Sequence, residues 1–151
     1  TVCGLGNHKN ALINRVMESD GVDVFPSSVN LVRQLLRQGV RTAVVSSSKN
    51  CAAILEAAKI ADLFELRVDG EVAARLQLPG KPNPDTFLHA ARELGVEPAR
   101  AVVVEDAISG VQAGRAGSFG LVIGVDRHDE AEALLEHGAD IVVKDLGDLV
   151  P

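Results

Sequence analysis

The chain has 151 residues, of which 46% are hydrophobic, and its formal net charge is −6. That length suits one domain, which can bury roughly 70% of the surface that its unfolded chain exposes, so neither a disulfide nor a metal is needed for stability. The four Phe residues, with no Tyr or Trp, indicate an aliphatic core and exclude an extended base-stacking surface. The acidic balance also disfavours a phosphate backbone as partner, so we expect no nucleic-acid binding.

The hydropathy of the sequence and its cysteine content indicate the cellular compartment of the protein. No apolar run approaches the roughly 18 residues that a membrane-spanning helix requires, and the first twenty residues lack the pattern of a signal peptide. The two cysteines, Cys3 and Cys51, lie far apart and form no CxxC pair. We therefore expect a cytoplasmic protein that keeps its thiols reduced and does not contact a membrane.

Short β-branched segments alternate with amphipathic segments along most of the chain. The predicted strands are 41–46, 101–105, 121–125 and 141–144, with a weaker candidate at 66–69. Four of the predicted helices are 7–19, 50–59, 109–116 and 129–137. Another is 28–38, with Ser27 or Ser28 as its cap. The last has Asn83 as its cap and Pro84 as its first residue, and it ends at Gly95. This alternation predicts βαβ units, and hence an α/β fold with a parallel sheet covered on both faces.

The carboxyl ends of parallel strands are where ligands bind in such folds, and three of these ends carry polar residues. The stretch 46–50, SSSKN, offers hydroxyl groups, backbone N–H groups and one lysine, which suits an anion, although a serine-rich helix cap explains it equally well. Lys81 lies between Gly80 and Pro82 and so has a restricted direction, but most lysines are solvated surface charges. Glu105 and Asp106 supply hard oxygen ligands of the kind that Mg²⁺ prefers, or they merely cap a helix.

Taken together, the three segments resemble motifs of the haloacid dehalogenase superfamily. The stretches SSSKN, GKPNPDTF and VVVEDAISGVQAGRAG are similar to its β-phosphoglucomutase-like branch. The resemblance implies a three-layer, Rossmann-like α/β core with a parallel sheet, here residues 21–151, and a remnant of a helical cap domain, here residues 1–20. It also implies a Mg²⁺-dependent enzyme that transfers phosphoryl groups.

The resemblance also implies a role for each matching residue. Ser46 and the Ser47 backbone N–H would hold the transferring phosphoryl group, and Lys81 would neutralise its charge. The remaining roles are substrate binding by Ser48, Lys49, Asn50 and Lys9, and Mg²⁺ binding by Glu105 and Asp106. In the mutase branch, Ser48 to Asn50 would hold the second phosphate of a bisphosphorylated sugar, which favours a mutase over a phosphatase.

The family's first motif, a strand ending in DxDG whose first Asp becomes phosphorylated, does not occur in this sequence. Residues 18–22 have Glu in the place of that Asp, and Val68-Asp69-Gly70 has no Asp at the required position. The resemblance therefore implies a core that lacks its first, central strand and most of its cap. We expect the chain alone to be inactive and not to fold as a native monomer. Either an upstream segment accompanies it, or the gap is closed by rearrangement or by a partner strand.

Three functions compete at this point. The first is a sugar-phosphate mutase that acts through an aspartyl phosphate, with a hexose 1-phosphate and 6-phosphate pair as substrates. The second is a phosphatase of small phosphorylated metabolites, and the third is an inactive anion-binding or interaction module. The sequence identifies neither the sugar nor the oligomeric state.

Overall fold

The computed structural model describes residues 22–151, and the predicted helix 7–19, Lys9 and the boundary at residue 20 lie outside them. In the described residues, five strands and six α-helices alternate in the predicted order, except that the helix Gly70–Arg75 is not predicted. The strands are β1 (Ala43–Val45), β2 (Leu66–Val68), β3 (Val102–Glu105), β4 (Leu121–Val125) and β5 (Ile141–Val143). The helices are α1 (Pro26–Arg37), α2 (Cys51–Ala57), α3 (Gly70–Arg75), α4 (Asp85–Glu93), α5 (Ile108–Ala116) and α6 (Ala131–His137). Short 3₁₀ turns span Ala61–Leu63, Pro98–Arg100 and Leu146–Leu149.

All strand pairs are parallel, as predicted, but the described strands form two separate sheets. One sheet has the order β1-β2 and the other the order β3-β4-β5. Strands β1 and β3 are therefore not paired with each other, and each has one edge without a strand partner in residues 22–151.

The core lies between β3, β4 and the helices that cover them. Its buried cluster includes Phe87 of α4, Val103 of β3, Val111 of α5, Val122 of β4 and Leu134 of α6. Phe87 packs edge-on against Phe119, with ring centroids 5.9 Å apart. These side chains fix α4 and α5 against the larger sheet, and so they fix the loops at the carboxyl ends of its strands.

All five predicted helices that lie in residues 22–151 begin one or two residues away from the predicted start, and two of these shifts have a clear physical reason. Helix α1 begins at Pro26 rather than after a serine cap, because proline favours the first helical turn, and Phe25 occupies the cap position without a side-chain hydrogen bond. Helix α4 begins at Asp85, with Pro84 in the cap position, and the Asn83 side chain instead donates to the Gly80 carbonyl at 3.1 Å. Helix α4 buries Phe87 and Ala91, whereas no residue of α1 is fully buried.

The glycines expected to end helices have the backbone that this role requires. Gly39, Gly95 and Gly138 all have positive φ angles, of 80°, 68° and 134°. This conformation strains residues with a side chain, so glycine is favoured after the last helical turn.

In residues 22–151, every helix is too short or too polar to cross a bilayer.

Candidate active site

Lys81 connects the ends of the two sheets. Its ammonium group forms an ion pair with the Glu105 carboxylate at the end of β3, and it lies 3.4 Å from the carbonyl oxygen of Val45 at the end of β1. The same ammonium lies 4.8 Å from the centre of the Phe87 ring, a cation–π distance. The side chains of Lys81 and Glu105 are only 11% and 10% exposed. The lysine is therefore not the solvated surface charge of the alternative interpretation.

The segment before α4 holds Lys81 in this position. Phe87 is buried in the core and its ring faces the ammonium, so the packing of α4 fixes the height of the lysine above the sheet. The carbonyl of Val45 has no strand partner on that side in the described residues, and the lysine donates to it. A cation thus lies at the mouth of the gap between β1 and β3.

Glu105 is held on several sides. One carboxylate oxygen pairs with Lys81, and the other accepts a hydrogen bond from the Ala107 backbone N–H at 3.4 Å. Gly110 of α5 is buried directly against this carboxylate, and a Cβ atom at that position would overlap it. The glycine makes room for a charged group beside the helix. Asp106, the second predicted metal ligand, is exposed at the same strand end.

The loop after β1 has a defined local structure. The Ser48 N–H donates to the Ser46 hydroxyl at 3.1 Å, and the Asn50 N–H donates to the Ser48 hydroxyl at 3.0 Å. Ser47 and Lys49 are exposed. Asn50, and none of the serines, takes the cap position of α2, and it makes no side-chain cap hydrogen bond there. The two serine hydroxyls fold the loop, and its solvent-facing positions are Ser47 and Lys49.

Buried groups lie behind that loop. Cys51 at the start of α2 is 5% exposed, and burial raises the pKa of its thiol, with the nearby Asp69 carboxylate raising it further. Asp69 is completely buried and pairs with Arg67 at 2.7 Å. A buried thiol with a raised pKa is a poor nucleophile, so Cys51 is a packing residue here.

The structure brings Lys81 and Glu105 into contact, and it places Lys81 beside Val45, the residue before Ser46. Val45, next to Ser46, and Glu105 both contact the Lys81 ammonium, and Asp106 follows Glu105. Within residues 22–151 no cluster of three metal-ligating side chains forms, so Glu105 and Asp106 are a pair. Such a pair fits Mg²⁺, which usually takes one or two carboxylates and completes its shell with water and substrate phosphate.

The turn at Asp69 and Gly70 is a part of the site that sequence reasoning missed. The two residues lie behind the serine loop, where Gly70 donates to the Ser48 carbonyl at 3.1 Å. In the sequence they stand out only as an incomplete nucleophile motif. No local pattern signals their contact with the loop, because it joins segments about twenty residues apart.

Comparisons with known proteins agree with this geometry. The family model for haloacid dehalogenase-like hydrolases matches residues 6–117. A β-phosphoglucomutase of Mycobacterium tuberculosis is 44% identical over 99% of this chain, and a trehalose-phosphate phosphatase of Mycobacterium leprae is 38% identical over 82% of it. The chain spans 58% of the first relative and 28% of the second.

Solved structures show the same fold. A crystal structure of CbbY from Rhodobacter sphaeroides in complex with xylulose-(1,5)bisphosphate superimposes with a TM-score of 0.82 and 25% sequence identity. That match covers 99% of this chain and 66% of the CbbY chain. The parallel strands, the lysine at the gap between the sheets and the match over residues 6–117 lead to one assignment: the chain belongs to the haloacid dehalogenase-like hydrolase family.

Proposed function

We propose that this chain is part of a Mg²⁺-dependent phosphoryl-transfer enzyme, and that the enzyme is a sugar-phosphate mutase of the β-phosphoglucomutase type. The observation that carries the proposal is the position of the Lys81 ammonium, between the end of β1 and the Glu105 carboxylate at the end of β3. A preorganised cation at such a place stabilises the negative charge that develops on a transferring phosphoryl group. The β-phosphoglucomutase of M. tuberculosis, at 44% identity, supports the choice of reaction.

Each side chain has a proposed role in that reaction. Ser46 and the Ser47 N–H bind the oxygens of the transferring phosphoryl group, and Lys81 compensates their charge. Glu105 and Asp106 hold Mg²⁺, which supplies charge compensation and orients the phosphoryl group when it is bound. Exposed Lys49, with Ser48 and Asn50, binds the phosphate that is not transferred.

The nucleophile is proposed to come from outside this sequence, which contains no DxDG motif. A carboxylate oxygen would bond to phosphorus as the bond to the ester oxygen breaks, and the leaving oxygen would take up a proton. In a mutase the phosphoryl group then passes to another hydroxyl of the sugar, whereas in a phosphatase it passes to water. The separate sheets support this proposal, because a strand between β1 and β3 would place its carboxyl end beside Lys81.

Exposed apolar side chains on one face of β3 are the second argument for a missing segment. Val102 is 55% exposed and Val104 is 43% exposed, although Val103 between them is buried. Val102 and Val104 lie on the same face of the sheet, because side chains alternate along a strand, and that apolar face is left uncovered in residues 22–151. The 151-residue chain alone should therefore lack a cooperative unfolding transition and phosphoryl transfer. A fusion with the unmatched part of the M. tuberculosis relative should regain both, and activity in the unfused chain would contradict the proposal.

A phosphatase of small metabolites is the second candidate, and the M. leprae trehalose-phosphate phosphatase supports it at 38% identity. The deciding experiment follows β-glucose 1-phosphate by phosphorus NMR, with Mg²⁺ and a trace of glucose 1,6-bisphosphate, in the protein expressed from its complete gene. A mutase converts the substrate to glucose 6-phosphate, and a phosphatase releases inorganic phosphate. If neither product forms, β-glucose 1-phosphate is not a substrate and the proposed reaction on this sugar is wrong.

Lys49 and Asn50 separate the two enzymes further. If they bind the second phosphate, Lys49→Ala and Asn50→Ala should raise the KM for glucose 1,6-bisphosphate by about tenfold, the size of one charged hydrogen bond. The KM for a simple phosphate monoester should change much less. Equal changes for both ligands would favour the phosphatase.

A further inference from the structure

The turn from β2 to α3 lies directly behind the serine loop. The Gly70 N–H donates to the Ser48 carbonyl at 3.1 Å, and the Ser46 N–H donates to the Val68 carbonyl at 2.9 Å. Two backbone hydrogen bonds therefore join this turn to the residues that the proposed function places against phosphate. The position of the turn decides the position of the loop.

Gly70 leaves no room for a side chain at this contact. A Cβ atom there would lie 2.7 Å from the Ser47 carbonyl oxygen, 3.0 Å from Cγ of Lys49 and 3.1 Å from the Lys49 backbone nitrogen. The first distance is shorter than real Cβ contacts, and it involves backbone that cannot rotate away. The φ angle of Gly70 is not among the positive values, so close approach rather than backbone conformation accounts for the glycine. The aliphatic stem of Lys49 lies over Gly70.

Asp69 fixes the same turn from within. Its side chain is 0% exposed, and one carboxylate oxygen accepts hydrogen bonds from the N–H groups of Glu71 at 3.1 Å and Val72 at 3.0 Å. The other oxygen accepts from Nε of Arg67 at 2.7 Å. Both oxygens of a buried carboxylate are thus engaged, which holds the start of α3 in one orientation. Gly70 can therefore not move away from the loop to accommodate a change.

We propose that Gly70 is a positioning residue that sets the place of Lys49, and that it thereby determines how strongly the enzyme prefers a bisphosphorylated sugar to a simple phosphate monoester whose only phosphate is transferred. Asp69 supports it by holding the turn. This inference rests on the proposed function, in which Lys49 binds the phosphate that is not transferred. The new element is that the preference for the bisphosphorylated sugar depends on the turn between β2 and α3, which does not contact the substrate.

The test is a double-mutant cycle in the protein expressed from its complete gene. Gly70→Ala should raise the KM for glucose 1,6-bisphosphate by about tenfold, as expected when one charged hydrogen bond is broken. The KM for a simple phosphate monoester such as para-nitrophenyl phosphate, whose only phosphate is the transferred one, should stay within about twofold, because Lys49 binds the phosphate that is not transferred. In a Lys49→Ala background, Gly70→Ala should add nothing, because its effect passes through that lysine. Glu71→Ala, which changes the next exposed residue and keeps its backbone N–H, should leave the ratio of the two KM values unchanged.

Three results would overturn the inference. Equal changes in both KM values would show a general disturbance of the loop. Additive effects of Gly70→Ala and Lys49→Ala would show that the glycine acts by another route. A Lys49→Ala enzyme with an unchanged KM for the bisphosphate would refute the second-phosphate role itself, and this outcome identifies the proposed function as the failing part.

Asp69→Asn is a second variant that tests the same turn, for the case in which Gly70→Ala does not fold. The asparagine has the shape of aspartate and retains an oxygen for the Glu71 and Val72 N–H groups, but it lacks the charge that pairs with Arg67. A smaller rise in the same KM ratio supports the inference. An unchanged ratio, in a variant whose melting temperature has fallen, would overturn it.

Discussion

The Lys81 ammonium and the Glu105 carboxylate form an ion pair in which both side chains are about nine-tenths buried. The pair joins the segment before α4 to the end of β3, and the carbonyl of Val45 adds the end of β1 to it. Charges removed from water in this way are stable only while they are paired. The pair is thus both a structural link across the gap and the centre of the proposed site.

Removing Lys81 should therefore reduce stability as well as activity. Lys81→Met leaves Glu105 buried without its partner, and the loss of one member of a buried pair costs about 3 kcal/mol or more of unfolding free energy. Turnover should fall by about 10² to 10³, as for the loss of one preorganised donor. Denaturant unfolding and steady-state kinetics measure the two effects.

The double variant Lys81→Met with Glu105→Gln is the control for this prediction. It removes both charges, so it should regain most of the stability but none of the turnover. A Lys81→Met protein as stable as the wild type would contradict the burial of the pair.

Gly110→Ala should displace the Glu105 carboxylate. The added methyl group overlaps that carboxylate in the observed position, so either the side chain or α5 must move. We expect a destabilisation of about 1–3 kcal/mol, as for overpacking of a core. Gly80→Ala is the matched control, because a Cβ at Gly80 meets nothing within 4 Å. Thermal unfolding compares the two, and equal melting temperatures would show that the carboxylate is not held by Gly110.

Asp106→Asn should weaken the dependence on Mg²⁺ without unfolding the domain. Asp106 is exposed, so its replacement leaves the core intact, while a neutral amide is a poorer ligand for Mg²⁺ than a carboxylate. The Mg²⁺ concentration for half-maximal activity should rise and turnover should fall. Asp62→Asn, at an exposed position in a 3₁₀ turn, is the matched control. An unchanged Mg²⁺ titration for Asp106→Asn would remove that residue from the proposed metal site.

Asp140 should contribute to stability in a manner that depends on pH. Hydrogen bonds from the Val122 N–H and the Arg115 side chain, both at 2.8 Å, lower the pKa of its carboxyl. Because the pKa of Asp140 is lower in the folded protein, its ionised carboxylate adds to the free energy of unfolding at pH values above the ordinary aspartate pKa of about 3.9. This contribution is lost as the pH falls through the pKa of the folded protein. Melting temperatures between pH 7 and pH 3 should therefore fall less steeply in Asp140→Asn than in the wild type. Parallel curves would contradict this role.

The sequence predicts the parallel strands well because they have a clear local pattern. Strand β4 has the predicted bounds, since Leu121–Val125 is a β-branched run that ends where polar residues begin. Helix α3 is not predicted, because its six residues depend on the buried Asp69 cap rather than on an amphipathic repeat. The helix starts at Pro26 and Asp85 are misplaced because a nearby serine or asparagine is the commoner cap.

The site could be predicted only as a set of residues at strand ends. Strand order places Ser46 and Glu105 at one edge, but no pattern in the sequence tells which of the two adjacent carboxylates faces Lys81. That choice follows from the packing of Gly110 against Glu105 and of Phe87 against the lysine, both of which are contacts between distant segments. The approach of Gly70 to the serine loop is of the same kind.

The most direct measurement is a crystal structure of the protein expressed from its complete gene, grown with Mg²⁺ and inorganic phosphate. We expect a phosphate within hydrogen-bond distance of the Ser46 hydroxyl and the Lys81 ammonium, with Mg²⁺ bound by an oxygen of Glu105 or Asp106. A phosphate bound elsewhere, with Lys81 still paired only to Glu105 and no metal at the end of β3, would contradict the proposed site.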